Sequence, residues 1–280
     1  MATSIKPHDP MVLVKSLFDQ AKLLWLAALF TRIIATAIGL FFALTKTPGV
    51  YAPWALASVI LCAEVLQWQS DLVKGRAEQL KRKIEFDDGL GWPISQADLS
   101  DVIAVLSKKQ KKTIEQAVRE NYFASERSVG AARLLDNLTE SSWWSKHLSL
   151  TMARWCGSLV AILVLVSLLA LGTAVNITQK PSELESTSRV VCAVLTLLMS
   201  AGLVKLFLGY QTFFRKSEQI EDKAKALSGL PSPVSESEVI KLMHDYQLAR
   251  ASAPLIPDMV WKSRRDGLNE LWNVYRKDVS

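Results

Sequence analysis

The sequence has little of what catalytic and metal sites are built from. It holds only three histidines, His8, His147 and His244, and they fall in separate segments. No zincin spacing, Gly-rich phosphate loop or paired-cysteine motif occurs, and no Ser, Asp and His are spaced as a triad. The three cysteines, Cys62, Cys156 and Cys192, each lie inside an apolar run. That placement suits packing or lipid contact and offers neither a disulfide framework nor a zinc site. Strand alternation is weak, and no repeat or low-complexity tract is present. These absences lead us to expect no enzyme: no catalytic residue, no metal and no cofactor, in a chain made almost wholly of helices.

What the sequence has instead is apolar length. Residues 155–179 carry no charge. At about 1.5 Å per residue, those roughly 25 residues exceed a hydrocarbon core of about 30 Å. Lys180, Pro181, Glu183 and Glu185 make a short polar break, and residues 190–210 return to apolar character with Lys205 as the sole interruption. A second pair precedes it. Residues 23–45 are broken by Arg32, a Lys46-Thr47-Pro48-Gly49 turn follows, and residues 51–69 contain one acid, Glu64. The reading is an all-α membrane protein with four transmembrane helices as two hairpins, and a helical cytoplasmic domain formed by the central insert and the C-terminal tail.

The segments are residues 1–22, cytoplasmic or interfacial; 23–70, hairpin 1; 71–153, the helical insert; 154–211, hairpin 2; and 212–280, the helical tail. Residues 11–22 mix Val12, Leu13, Leu17 and Phe18 with Lys15, Asp19 and Lys22, which fits either an interfacial amphipathic helix or the start of the first span. Pro7 and Pro10 precede an apolar run too long for a cleavable signal, so this end is expected to be retained. Lys74, Arg76, Lys81, Arg82 and Lys83 crowd the exit of the second span, whereas the hairpin loops offer Lys46, Lys180 and Arg189. The positive-inside bias then puts both termini and the insert in the cytoplasm.

Within the polar blocks, Ser95 with Asp98 and Ser235 with Glu238 read as capping pairs. Apolar stripes follow at Leu99, Val102, Ile103, Leu106, at Val239, Leu242, Met243, Tyr246, and at Leu268, Leu271, Trp272, Tyr275. Pro254 and Pro257 end one helix and start another, fixing a corner. Beside it stand Tyr246, Arg250, Arg264 and Arg265, and the insert adds Tyr122 and Arg133. Guanidinium groups grip phosphate bidentately and aromatic faces stack on bases, so these six are the candidate ligand-binding residues for an anionic, base-containing molecule. The plainer reading has the arginines paired with acids, and Trp143 and Trp144 as an aromatic belt at the start of the third span. In the membrane, Arg32 and Glu64 differ in depth by about 5–6 Å and are expected to pair, with Lys205 as an added partner near the same level.

The runs YFASERSVGAARLLDNLTESSWWSKHL (122–148) and YQLARASAPLIPDMVWKSRRDGLNELW (246–272) resemble the four-transmembrane effectors linked to bacterial oligonucleotide cyclases, the SMODS-associated type of cyclic-oligonucleotide anti-phage systems. The resemblance extends to the layout of nearly the whole chain. It implies a cyclic oligonucleotide, made by a cognate cyclase, as the activating partner, and a homo-oligomer that compromises the lipid bilayer to cause abortive infection. No nucleic acid polymer is implied. The site residues come from their own chemistry, since the resemblance supplies no residue map. The competing readings are a non-catalytic scaffold or regulatory subunit binding a protein partner, and a nucleotide-independent channel.

Overall fold

The computed structural model describes residues 9–45, 52–106, 111, 123–177, 191 and 202–279. Among them every regular element is an α-helix: α1 (Pro10–Thr45), α2 (Ala52–Leu90), α3 (Gln96–Val105), α4 (Ala131–Ile177), α5 (Leu203–Ser228), α6 (Glu236–Ser252) and α7 (Asp258–Val279). Three stretches are long and apolar enough to cross a membrane, Pro10–Gly39, Pro53–Leu90 and Ala131–Leu169. The expected fourth span, residues 190–210, lies largely outside the described residues, which from Gly202 onward enter α5.

α2 has 39 residues and α4 has 47. At about 1.5 Å per residue they are roughly 60 and 70 Å long, twice a hydrocarbon core. Each therefore runs unbroken from an apolar half into a polar half, and the polar halves gather into one bundle. α1 and α2 lie antiparallel along a seam with coiled-coil spacing. Ala63, Ser70, Ala77, Leu80 and Ile84 of α2 are buried, opposite Val14, Leu17, Ala21 and Ala28 of α1. Small side chains let the helices close, and the Ser70 hydroxyl donates to the Ala21 carbonyl at 2.8 Å. α1 is thus one continuous helix whose first turns, Leu13, Val14 and Leu17, belong to the polar-end core with α2 and α3. They do not form a separate interfacial segment.

The second core joins Leu134, Leu135 and Leu138 of α4, Phe213, Ile220 and Ala224 of α5, and the buried α6 stripe Val239, Leu242, Met243 and Tyr246. The third sets Trp143, Met152 and Cys156 of α4 against Tyr210 of α5 and Val260, Leu268 and Trp272 of α7. Two sequence expectations change here. Trp143, 4% exposed, packs against Trp272 with ring centroids 5.2 Å apart, inside the bundle and not at a lipid boundary. The α7 stripe uses Val260 where Leu271 was expected, and Leu271 is exposed. At the helix starts, Ser95 accepts from the Asp98 amide at 3.2 Å, as its spacing predicts. Ser235 makes no such cap; its hydroxyl meets that of Ser237.

Gly89 marks a close helix crossing, and Gly75 does not. A Cβ on Gly89 would sit 2.7 Å from a Leu134 methyl and 3.1 Å from its Cα, whereas one on Gly75 would meet open space. Gly89→Ala is therefore expected to lower stability by about 1–3 kcal/mol through overpacking. Gly75→Ala, in the middle of α2, is expected to raise it by about 0.5–1 kcal/mol. Unfolding of the two variants in the same detergent checks the opposite signs.

Candidate functional site

α6 places Tyr246, Gln247 and Arg250 on one face, buried, because its neighbours α2, α4 and α5 enclose it. Arg250, 7% exposed, is held between two carboxylates of α2. Its Nε donates to Glu78 Oε2 at 2.7 Å, its Nη1 donates to Glu85 Oε1, and its Nη2 donates to Glu85 Oε2 at 3.2 Å. Gln247 Nε2 adds a hydrogen bond to Glu85 Oε2 at 2.9 Å. One turn before Glu78, Lys74 Nζ donates to the carbonyls of Ala251 at 2.7 Å and Ala253 at 2.5 Å, closing the C-terminus of α6. Arg250 thus faces two buried carboxylates, and the part-buried Lys74 stands beside Glu78. Burial works against the charged guanidinium, but Glu85 and Glu78 outweigh it and hold Arg250 well above the ordinary arginine range.

Tyr246 carries the same network to α4. Its hydroxyl lies 2.8 Å from Ser145 Oγ and donates to the Ser141 carbonyl at 3.0 Å, while Arg250 stands over its ring at 5.2 Å. Burial raises the phenol above its usual range, so it stays protonated and can donate. Below this point the chain turns at Pro254–Pro257 as the two prolines predict. Pro254 packs against Gly209, Tyr210 Oη donates to the Leu255 carbonyl at 2.5 Å, and Leu255 seats against Ala21 and Trp25 of α1. An ion pair between Lys22 and Asp258 fixes the start of α7.

The six candidate ligand residues are not brought together. Tyr246 and Arg250 are inside the network, out of reach unless it opens. Arg133 is taken up by Asp88, with Nε to Oδ2 at 3.0 Å and Nη2 to Oδ1 at 2.7 Å. Arg264 and Arg265 are exposed on α7, the latter beside Trp261 at 5.3 Å and bonded to Asp266 at 2.9 Å. Tyr122 lies outside the described residues.

In the apolar half, Arg32 Nη2 donates to Glu64 Oε1 at 2.9 Å, the partnership anticipated from their depths. The further partner is Gln67, whose Oε1 accepts from Nη1 at 3.4 Å. Lys205 instead lines a cleft between α5 and α6.

Sequence reasoning passed over Lys74, Glu78 and Glu85, although a signal for them exists. Glu64, Gln67, Asp71, Lys74, Glu78, Lys81, Glu85 and Asp88 recur at alternating spacings of three and four. This polar line lies one residue from the apolar seam along α2, and it extends from the span to the far end of the bundle. A further ionic centre was also missed. Glu221 is buried between Lys146, 2.5 Å away, and Lys225, 2.8 Å away, and accepts from Tyr275 at 3.2 Å. No family model, curated protein or solved structure matches this chain.

Two outcomes follow from the ionic centres. Arg250→Ala strands two buried carboxylates and is expected to cost about 3–5 kcal/mol of stability. Arg250→Met with Glu85→Leu removes one charge of each sign and is expected to recover part of that loss in denaturant titration. Burial alone would raise Glu221, but its two lysines hold it below the ordinary 4.5. Its contribution is therefore full above 4.5 and is lost as pH falls through the depressed value. The difference in melting temperature between the wild type and Glu221→Gln should be largest near neutrality and shrink on acidification below the ordinary value.

Proposed function

We propose that this protein is a membrane effector of bacterial anti-phage defence, switched by a cyclic oligonucleotide at its cytoplasmic helical domain and acting on the inner membrane to cause abortive infection. The carrying observation is mechanical. Arg250, on the C-terminal tail, is bonded to Glu78 and Glu85 of α2, the helix that continues unbroken into an apolar span. Displacement of the tail is thereby passed to the membrane without a flexible joint. The resemblance of residues 122–148 and 246–272 to four-transmembrane effectors supplies the ligand class and the output.

In this reading the chain crosses four times as two hairpins with both termini in the cytoplasm, does no catalysis, and works as a homo-oligomer. Assembly draws support from Glu64, whose side chain is 59% exposed within an apolar stretch. A carboxylate facing lipid costs at least about 2.5 kcal/mol, which a neighbouring subunit or a hydrated path would relieve. The ligand, made by the cognate cyclase, first meets the exposed pair Arg264 and Arg265 beside Trp261. Tyr246 and Arg250 respond to it by rearranging. Since a ligand shifts an equilibrium only by its differential affinity, it binds the opened arrangement better than the closed one.

A scaffold for a protein partner is the second reading, supported by Met259, Trp261, Leu271 and Val274, which leave apolar surface exposed on α7. Thermal unfolding of the detergent-purified chain against cyclic di- and trinucleotides separates the two. At a hundredfold excess over its dissociation constant, the activating nucleotide is expected to stabilise by about 2.7 kcal/mol. It should also release dye from vesicles containing the protein, and both effects should weaken in Arg264→Ala with Arg265→Ala. No shift and no leakage across the panel, with a stoichiometric protein partner in purification from the native host, would favour the scaffold.

A further inference from the structure

The cleft between α5 and α6 has a volume of about 900 Å³, and its cations, unlike those of the buried ionic centres, are unanswered. Lys205, Lys216 and Lys223 line it on one face of α5, against a single carboxylate among the described residues, Asp245 on α6. Among the described residues none of the three lysines makes an ion pair or a hydrogen bond. By contrast Lys22, Lys74, Lys83, Lys146 and Lys225 all do. Three ammonium groups spaced along one cleft, against one carboxylate among its described lining residues, make it net positive.

The position of the cleft says what kind of anion. Its lower end lies beside Leu203, which packs on Leu29, Val160 and Leu163 in the apolar halves of α1 and α4. There the wall is apolar, and Val204 and Leu208 are exposed along it. Its upper end is level with the Lys146–Glu221 ion pair of the polar bundle. Lys205 and Lys216 are about 16 Å apart along the helix, and Lys216 and Lys223 about 10 Å. The cleft therefore crosses the boundary between apolar and polar surroundings, greasy below and cationic above. A free polar anion would leave the lower half without a partner, and a neutral lipid would leave the lysines without one.

We propose that this cleft is a binding site for an anionic phospholipid of the leaflet nearest the bundle, with its phosphate at Lys216 and Lys223 and its acyl chains against Val204 and Leu208. Lys205, about 16 Å along α5 from Lys216, stands at the apolar end of the cleft, beyond reach of that phosphate. The lipid lies along α5 and α6, and α6 carries Arg250, so its occupancy bears on the element that ties the tail to α2. The site needs the apolar halves of α1, α4 and α5 to lie in a bilayer, but it is independent of activation by a nucleotide.

The test uses the full chain in a neutral detergent, titrated with phosphatidylglycerol, phosphatidylcholine, inorganic phosphate or a cyclic dinucleotide. Melting temperature and bound phospholipid after gel filtration are the readouts. Phosphatidylglycerol is expected to raise the melting temperature by several degrees and remain bound, phosphatidylcholine to do neither, and the shift to diminish with added salt. Lys216→Gln with Lys223→Gln should abolish the shift while helix content and melting without lipid stay as in the wild type. Lys241→Gln, an exposed lysine of α6 outside the cleft, should retain it. An equal shift with phosphatidylcholine, or a phosphatidylglycerol shift unchanged in the double variant, overturns the proposal. A shift with inorganic phosphate or the dinucleotide as large as with phosphatidylglycerol, lost in the same double variant, also overturns it and makes the cleft a site for a soluble anion. Nucleotide activation stands or falls separately, on Arg264 and Arg265.

Discussion

The structure depends on one guanidinium. Arg250 is buried between Glu78 and Glu85, and each of the three alone would be an uncompensated charge in a packed bundle. Their closeness turns a large desolvation cost into a network whose stability requires all members in place. Such a network adds little net stability over a well-packed apolar core of the same shape, but it admits only one arrangement of α6 against α2. Gln247 and Lys74 sharpen that constraint by satisfying the second oxygen of Glu85 and the free carbonyls at the end of α6. With α6 fixed, the Pro254–Pro257 corner falls against α1 and α5, and α7 can reach the Trp143 cluster.

The position of this network on α2 gives it mechanical reach. One seam of α2 is small and apolar and closes on α1; the adjoining line, from Glu64 to Asp88, is polar and takes partners from α1, α6 and α4 in turn. A rotation of α2 by a fraction of a turn would exchange the two lines and break every one of these contacts together. Every one of these contacts rests on the one helix α2. Because it is continuous over 39 residues, a bias applied at Glu85 is felt at Glu64 without any intervening loop.

Much of the architecture was legible in the sequence, for reasons that are local. Apolar length identified the three helices long enough to cross a membrane, the prolines at 254 and 257 fixed the corner, and the Ser95 cap and the α6 stripe followed from spacing. The depths of Arg32 and Glu64, both set by short runs, were enough to pair them. The interior of the bundle was not legible, because its partners are remote: Arg250 meets Glu85 across 165 positions and Glu78 across 172. An arginine beside a tyrosine has the same local signature whether it awaits a phosphate or is already spent on a carboxylate. The same ambiguity affected Arg133, taken by Asp88, and Trp143, which reads as a membrane-boundary residue until α7 is folded over it. The three-and-four polar spacing on α2 was the one sequence signal able to anticipate the network, since charges repeating beside an apolar seam must face another helix or water along their whole length.

The distribution of answered and unanswered charges then separates what holds the molecule from what it offers to others. Arg250, Arg133, Lys146 and Lys74 are closed within the bundle, and changing their state means changing the fold. Lys205, Lys216 and Lys223 are open along the cleft, Arg264 is open on α7, and Glu64 is half answered by Arg32 while facing outward. These open groups occupy three levels, the apolar half, the boundary and the polar end. An outside molecule can bind any of them at the ordinary cost of association, without first breaking the buried network. For the cleft, α6 is the element shared with the α2 ion pairs. Under the proposed function, a molecule in the cleft would reach α2 through Arg250, and one that left its contacts with Glu78 and Glu85 unchanged would be bound without consequence for α2.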